Sequence, residues 1–149
     1  MSLDRFVTAQ ENIFDQVRSE LVHGEKRTHW MWFVFPQIAG LGSSPMARHF
    51  AIEGLDEARR YLAHPLLGTR LAEATQLILG WAGRCSAVAI LGQIDAMKFC
   101  SSMTLFETAS LGAEASPRFA HALDAFCQGR RDERTIRLLN RTPPPSCAA

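Results

Sequence analysis

No two of the four cysteines, Cys85, Cys100, Cys127 and Cys147, stand at a Cys-x-x-Cys spacing. That removes zinc-ribbon and thioredoxin-like sites. No apolar run approaches 18 residues, so no membrane span is expected. The opening residues, Met1-Ser2-Leu3-Asp4-Arg5-Phe6, lack the basic and apolar regions of a signal peptide. The expectation is a cytoplasmic protein with reduced thiols. An excess of one charge is also missing. Sixteen basic residues face 15 acidic ones, for a net charge of +1, which argues against nucleic acid or an anionic membrane as a partner. His29, His49, His64 and His121 show no His-x-x-x-His spacing, and carboxylates are not clustered near them. No metal and no cofactor is expected.

What remains is 149 residues with 47% hydrophobic content, long enough to bury one core without staples. Phe6, Ile13, Phe14, Val17 and Leu21 recur at helical steps and predict an amphipathic helix over 3–22, with Ser2 as N-cap and Gly24 as its stop. The aromatic run at 29–35 suits a strand by composition. No second stretch offers a convincing partner, and a lone strand leaves its backbone unsatisfied. A short buried helix capped by Thr28 and ended near Pro36 is the better reading. Ser44-Pro45 opens a helix over 45–52. Further helices are expected at 55–62, from His64-Pro65 to Gly83, at 86–92, at 96–109 capped by Asp95, from Ser116-Pro117 to Gln128, and after Asp132. The chain reads as an all-α, single-domain irregular bundle of seven to nine helices over 1–140. A disordered tail, with Pro143-Pro144-Pro145, follows over 141–149.

Several of these stretches share a pattern: Gly24-Glu25-Lys26, His29-Trp30-Met31-Trp32-Phe33, Phe35-Pro36-Gln37 and Gly40-Leu41-Gly42. It continues in Glu57-Ala58-x-x-Tyr61-Leu62, His64-Pro65-Leu66-Leu67-Gly68-x-Arg70-Leu71, Gly92-x-x-Asp95-x-x-Lys98 and Ser101-Ser102-Met103-Thr104-Leu105-Phe106. The pattern resembles a domain-of-unknown-function family, numbered eighteen-ten, some of whose members carry a calpastatin label. The likeness covers roughly residues 3–139. It implies an all-helical fold and no particular activity. The calpastatin label does not suit a chain this apolar.

Candidate chemistry lies in two polar clusters set in apolar surroundings. Trp30, Met31, Trp32, Phe33 and Phe35 read first as core, with Trp30 also placed among ligand-binding residues. At the ends of that run stand Lys26, His29 and Gln37. The structural reading of His29 and Gln37 is a hydrogen bond to nearby backbone; the functional reading sets Lys26 and His29 on a cleft, Lys26 as a positive charge and His29 as the general acid or base. The loop with Gly40, Gly42, Ser43 and Ser44 precedes a helix, with Arg48 one turn in. It is a capped turn or an anion-binding loop, and it is not a P-loop, since Gly-Lys-Ser/Thr is absent. The second cluster is Asp95, Lys98, Ser101 and Ser102. Lys98 beside two serines suggests a serine–lysine pair in reversed order, against a solvated lysine on a helix face. Two functions stay open. One is a pocket between 29–45 and 95–107 that binds, or turns over, an anionic phosphorylated or nucleotide-like small molecule, with His29 and Lys98 as catalytic candidates. The other is a helical protein-interaction module. The residues do not decide whether the protein is an enzyme.

Overall fold

The amphipathic N-terminal stretch folds as two helices, α1 (Asp4–Gln10) and α2 (Phe14–His23), and not as one. The break follows from Gln10, whose buried amide Nε2 donates to the Phe33 carbonyl (2.6 Å) and to Tyr61 Oη (3.1 Å). A straight helix would have to give up either that anchor or the apolar face of Phe14, Val17 and Leu21, which is buried as well. In the computed structural model, residues 2–111 and 117–141 are described.

Eight more helices follow among the described residues: α3 (Met31–Val34), α4 (Pro45–His49), α5 (Leu55–Ala63), α6 (Leu67–Leu79), α7 (Ala87–Leu91), α8 (Gln93–Ser110), α9 (Arg118–Phe126) and α10 (Glu133–Leu139). The fold is all-α, with no strand among the described residues. None of these helices is long and apolar enough to cross a membrane. The aromatic run does contain a short buried helix, but Trp30, not Thr28, is its N-cap residue. Ser44 caps α4 as expected, its Oγ accepting from Ala47 N at 3.1 Å with Pro45 in the first turn. That helix stops at His49 instead of 52, because Ile52 is drawn into a parallel bridge with Ile38. Ser86 caps α7 in the same manner. The helix expected from His64-Pro65 starts at Leu67. His64 Nδ1 accepts from Leu66 N and Leu67 N just ahead of it.

α8 is the central element and packs against α5, α7, α9 and α10, while α6 packs on α2, α5 and α9. Phe6, Trp30, Phe35, Tyr61, Phe99 and Phe106 are fully buried between them. Phe35 meets Phe99 edge-on at 5.1 Å, and Tyr61 meets Phe106 at 5.3 Å. Asp95 is not the N-cap of α8: the helix begins two residues earlier, after Gly92, which leaves the Asp95 carboxylate free for a partner elsewhere.

The cysteines give a further correction. Cys100 in α8 and Cys127 at the end of α9 form a disulfide, with Cα atoms 6.0 Å apart, where reduced core thiols were expected. Sequence spacing could not suggest it, since the packing of α9 on α8 is what brings the two together. Cys85 is free and partly buried. The expected tail beyond Arg141, with Cys147, lies outside the described residues, as does Ser116.

Candidate functional site

The turn after α2 begins at Gly24, whose φ of +71° belongs to the left-handed region that glycine tolerates. A side chain there would also strike the Trp81 indole. The six residues that follow wrap around one buried carboxylate, Glu20. Its oxygens accept from Arg27 N (2.7 Å), Thr28 N (3.1 Å), Thr28 Oγ1 (2.6 Å), Trp30 Nε1 (2.9 Å) and Gln16 Nε2 (2.9 Å). Burial by itself would raise the Glu20 pKa. The hydrogen bonds from Thr28, the Arg27 and Thr28 amides and Gln16 outweigh it and hold the group at about 2. Thr28 is thus spent on Glu20, which is why it does not cap α3.

This clasp fixes Lys26. Its amide donates to the Ile90 carbonyl (2.8 Å), which joins the turn to the end of α7. Its side chain is only 7% exposed, and Nζ pairs with Asp95 Oδ2 at 2.8 Å. Lys98, one turn along α8, places Nζ 3.8 Å from Asp95 Oδ1. Two ammonium groups therefore share one carboxylate. Each also lies over an indole: Lys26 Nζ is 5.2 Å from the Trp30 ring centre, and Lys98 Nζ is 5.0 Å from that of Trp32.

Above this group lies an open cleft of about 490 Å³. Lys26, His29, Met31 and Trp32 form one wall; Leu91, Gln93, Ile94 and Asp95 form the other. His29 is exposed at the rim, and its side chain makes no hydrogen bond or ion pair among the described residues. Ile94 (70% exposed) and the nearby Met97 (67%) leave an apolar border beside it. Among the described residues no three His, Cys, Asp or Glu side chains gather as a metal-holding group.

A family model described as "Protein of unknown function (DUF1810)" matches residues 1–139. The chain belongs to this DUF1810 family. It is also similar to a solved structure, the conserved hypothetical protein Rv1873 from Mycobacterium tuberculosis. The two share 48% sequence identity and a TM-score of 0.88, with 94% of this chain and 97% of that chain covered. No curated protein matches the chain.

Within this DUF1810 chain, the residues picked out from sequence fall into three places. Lys26, His29 and Asp95 line the cleft, and Lys98 stands beside it. Gln37, Gly40 and Gly42 lie on the other side of Trp32, around a void of about 10 Å³ that is too small for a metabolite. Gly40 has φ +103° and abuts Leu138, and the Leu41 carbonyl takes a hydrogen bond from Arg134 Nη2 (3.3 Å). Gly40 thus serves close approach to α10, while Gly42 abuts Ala47 of α4. Ser44 Oγ is used as a cap, and Ser43 and Arg48 are exposed away from the cleft lining.

Ser101 and Ser102 are corrections. Ser101 Oγ donates to Asp132 Oδ2 (2.8 Å), and Ser102 is fully buried, so neither forms a pair with Lys98 or reaches the cleft. Trp30 is likewise a core residue and not a ligand contact, buried entirely with its N–H given to Glu20. The indole on the cleft is Trp32. Positions i and i+2 of a helix lie on nearly opposite sides, which in a one-turn helix with Trp30 buried was the available signal. Glu20 was missed as well, since one acid on an otherwise polar face gives no sign of burial.

Proposed function

We propose that the cleft between 26–32 and 91–95 binds a small anionic molecule with a flat apolar part, of the phosphorylated or nucleotide-like class. The observation that carries the reading is the pairing of Lys26 and Lys98 with the single carboxylate of Asp95. The surplus positive charge stands beside a concave site, where partial burial weakens solvent screening. Trp32 supplies a π face and Met31, Leu91 and Ile94 supply apolar contact, the mixture expected of a small-molecule site. His29 is the cleft residue suited to exchange a proton with a bound molecule. In this reading Lys98 acts as a fixed cation, because its serine neighbours are engaged or buried elsewhere.

A protein-docking role has one observation in its favour, the exposed Ile94 and Met97 beside the cleft. The test is a thermal-shift screen of phosphorylated metabolites and nucleotides on the wild type, His29→Ala and Lys98→Ala. A ligand that binds only the folded state must raise its stability. A shift seen in wild type and reduced in both variants supports the reading. Equal shifts in all three remove the site.

A further inference from the structure

Of the α8 residues that sequence reasoning assigned to the cleft, Ser101 instead joins Thr104 and Glu107 in holding a different segment in place. Ser101 Oγ donates to Asp132 Oδ2 (2.8 Å), Thr104 Oγ1 accepts from Asp132 N (3.0 Å), and the Glu107 carboxylate takes Arg131 Nε (2.9 Å) and Nη2 (2.6 Å). The Cys100–Cys127 disulfide fixes the chain just ahead of it. A concavity of about 680 Å³ lies over this segment, lined by residues 130–134 and Arg137. Asp132 and Arg131 are consumed by the contacts beneath, and Asp132 also accepts from Thr135 Oγ1 (2.5 Å).

The remaining cations are Arg130, Arg134 and Arg137, all exposed. Arg134 gives one N–H to the Leu41 carbonyl. The side chains of Arg130 and Arg137 make no hydrogen bond or ion pair among the described residues, and Glu133 is the one acid of the lining not engaged by another side chain. Arg134 and Arg137 are neighbours on one helix face, where like charges oppose each other unless an anion intervenes. Guanidinium forks match phosphate oxygens two at a time.

We propose that this arginine platform binds a ligand with two or more linked phosphate groups. A polynucleotide is disfavoured by the net charge of +1, which supplies no extended basic track. The site is separate from the cleft and does not rest on the reading given to it.

The probe is inorganic tripolyphosphate, titrated calorimetrically into wild type and Arg130→Gln/Arg137→Gln. The platform predicts binding by the wild type, weaker by about tenfold or more in the double variant. Both arginines are exposed, so the double variant should fold normally, which circular dichroism verifies. Absence of binding at about 1 mM probe, or equal binding by the double variant, would overturn the proposal. So would tighter binding of a short single-stranded oligonucleotide than of tripolyphosphate.

Discussion

The indole N–H of Trp30 donates to the Glu20 carboxylate at 2.9 Å, while Lys26 Nζ lies 5.2 Å from the centre of the same ring. One buried tryptophan therefore touches both the anion that shapes the 25–30 turn and the cation that the turn delivers to the cleft. Position and charge of Lys26 are coupled through this pair, so changing Glu20 should disturb the cleft without any direct contact.

Glu20→Gln keeps the size of the side chain but sets an amide among donors, since Arg27 N, Thr28 N and Trp30 Nε1 all point at the carboxylate. We expect a loss of about 2–4 kcal/mol, measured by urea unfolding. The wild type should also show the matching pH dependence. The Glu20 pKa is lowered on folding from 4.5 to about 2. Its contribution, roughly 3 kcal/mol, is present above about pH 4.5 and disappears as pH falls toward 2. Glu20→Gln should lack that component of acid sensitivity.

Asp95→Asn separates stability from binding. It leaves the nearly buried Lys26 without its counter-charge, so stability should fall by about 2 kcal/mol. Anion affinity should move the other way, rising several-fold, because a negative charge next to the ligand is removed. Calorimetric titration of Asp95→Asn beside Lys98→Ala should give changes of opposite sign.

Reduction of the Cys100–Cys127 bond frees a 27-residue separation in the unfolded chain. Loop-closure entropy sets the loss at up to about 3.5 kcal/mol. Cys100→Ser and wild type with reductant should melt at similar, lowered temperatures in calorimetry. Reductant should then have little further effect on the variant.

Ser101→Ala should cost about 1–2 kcal/mol of stability through the lost bond to Asp132. The affinity of a cleft ligand should not change, because Ser101 faces α10. A loss of cleft binding at unchanged stability would return Ser101 to the cleft.

Helix periods, serine caps and glycine stops made the all-α bundle legible in the sequence, because each depends on residues close together in the chain. Ser44, Ser86 and Gly24 act where their local chemistry places them. The split of the first helix was hidden because Gln10 answers to Phe33 and Tyr61, far along the chain. The two polar clusters were visible as clusters, but their partners were not. Asp95 turns to Lys26, Ser101 turns to Asp132, and the disulfide joins α8 to the end of α9. These are pairings between segments far apart in the chain, fixed by packing that a single sequence does not display.

The indole resonances give the most direct test of the cleft. Of the three tryptophans, Trp30 and Trp81 give their N–H to Glu20 and to the Leu21 carbonyl, while Trp32 lines the cleft. In proton–nitrogen NMR spectra titrated with adenosine monophosphate, the account predicts that the Trp32 indole signal moves most, together with the amides of 26–32 and 91–95. The Trp81 indole should stay in place. Saturable shifts that leave Trp32 and both of these segments unmoved would contradict it.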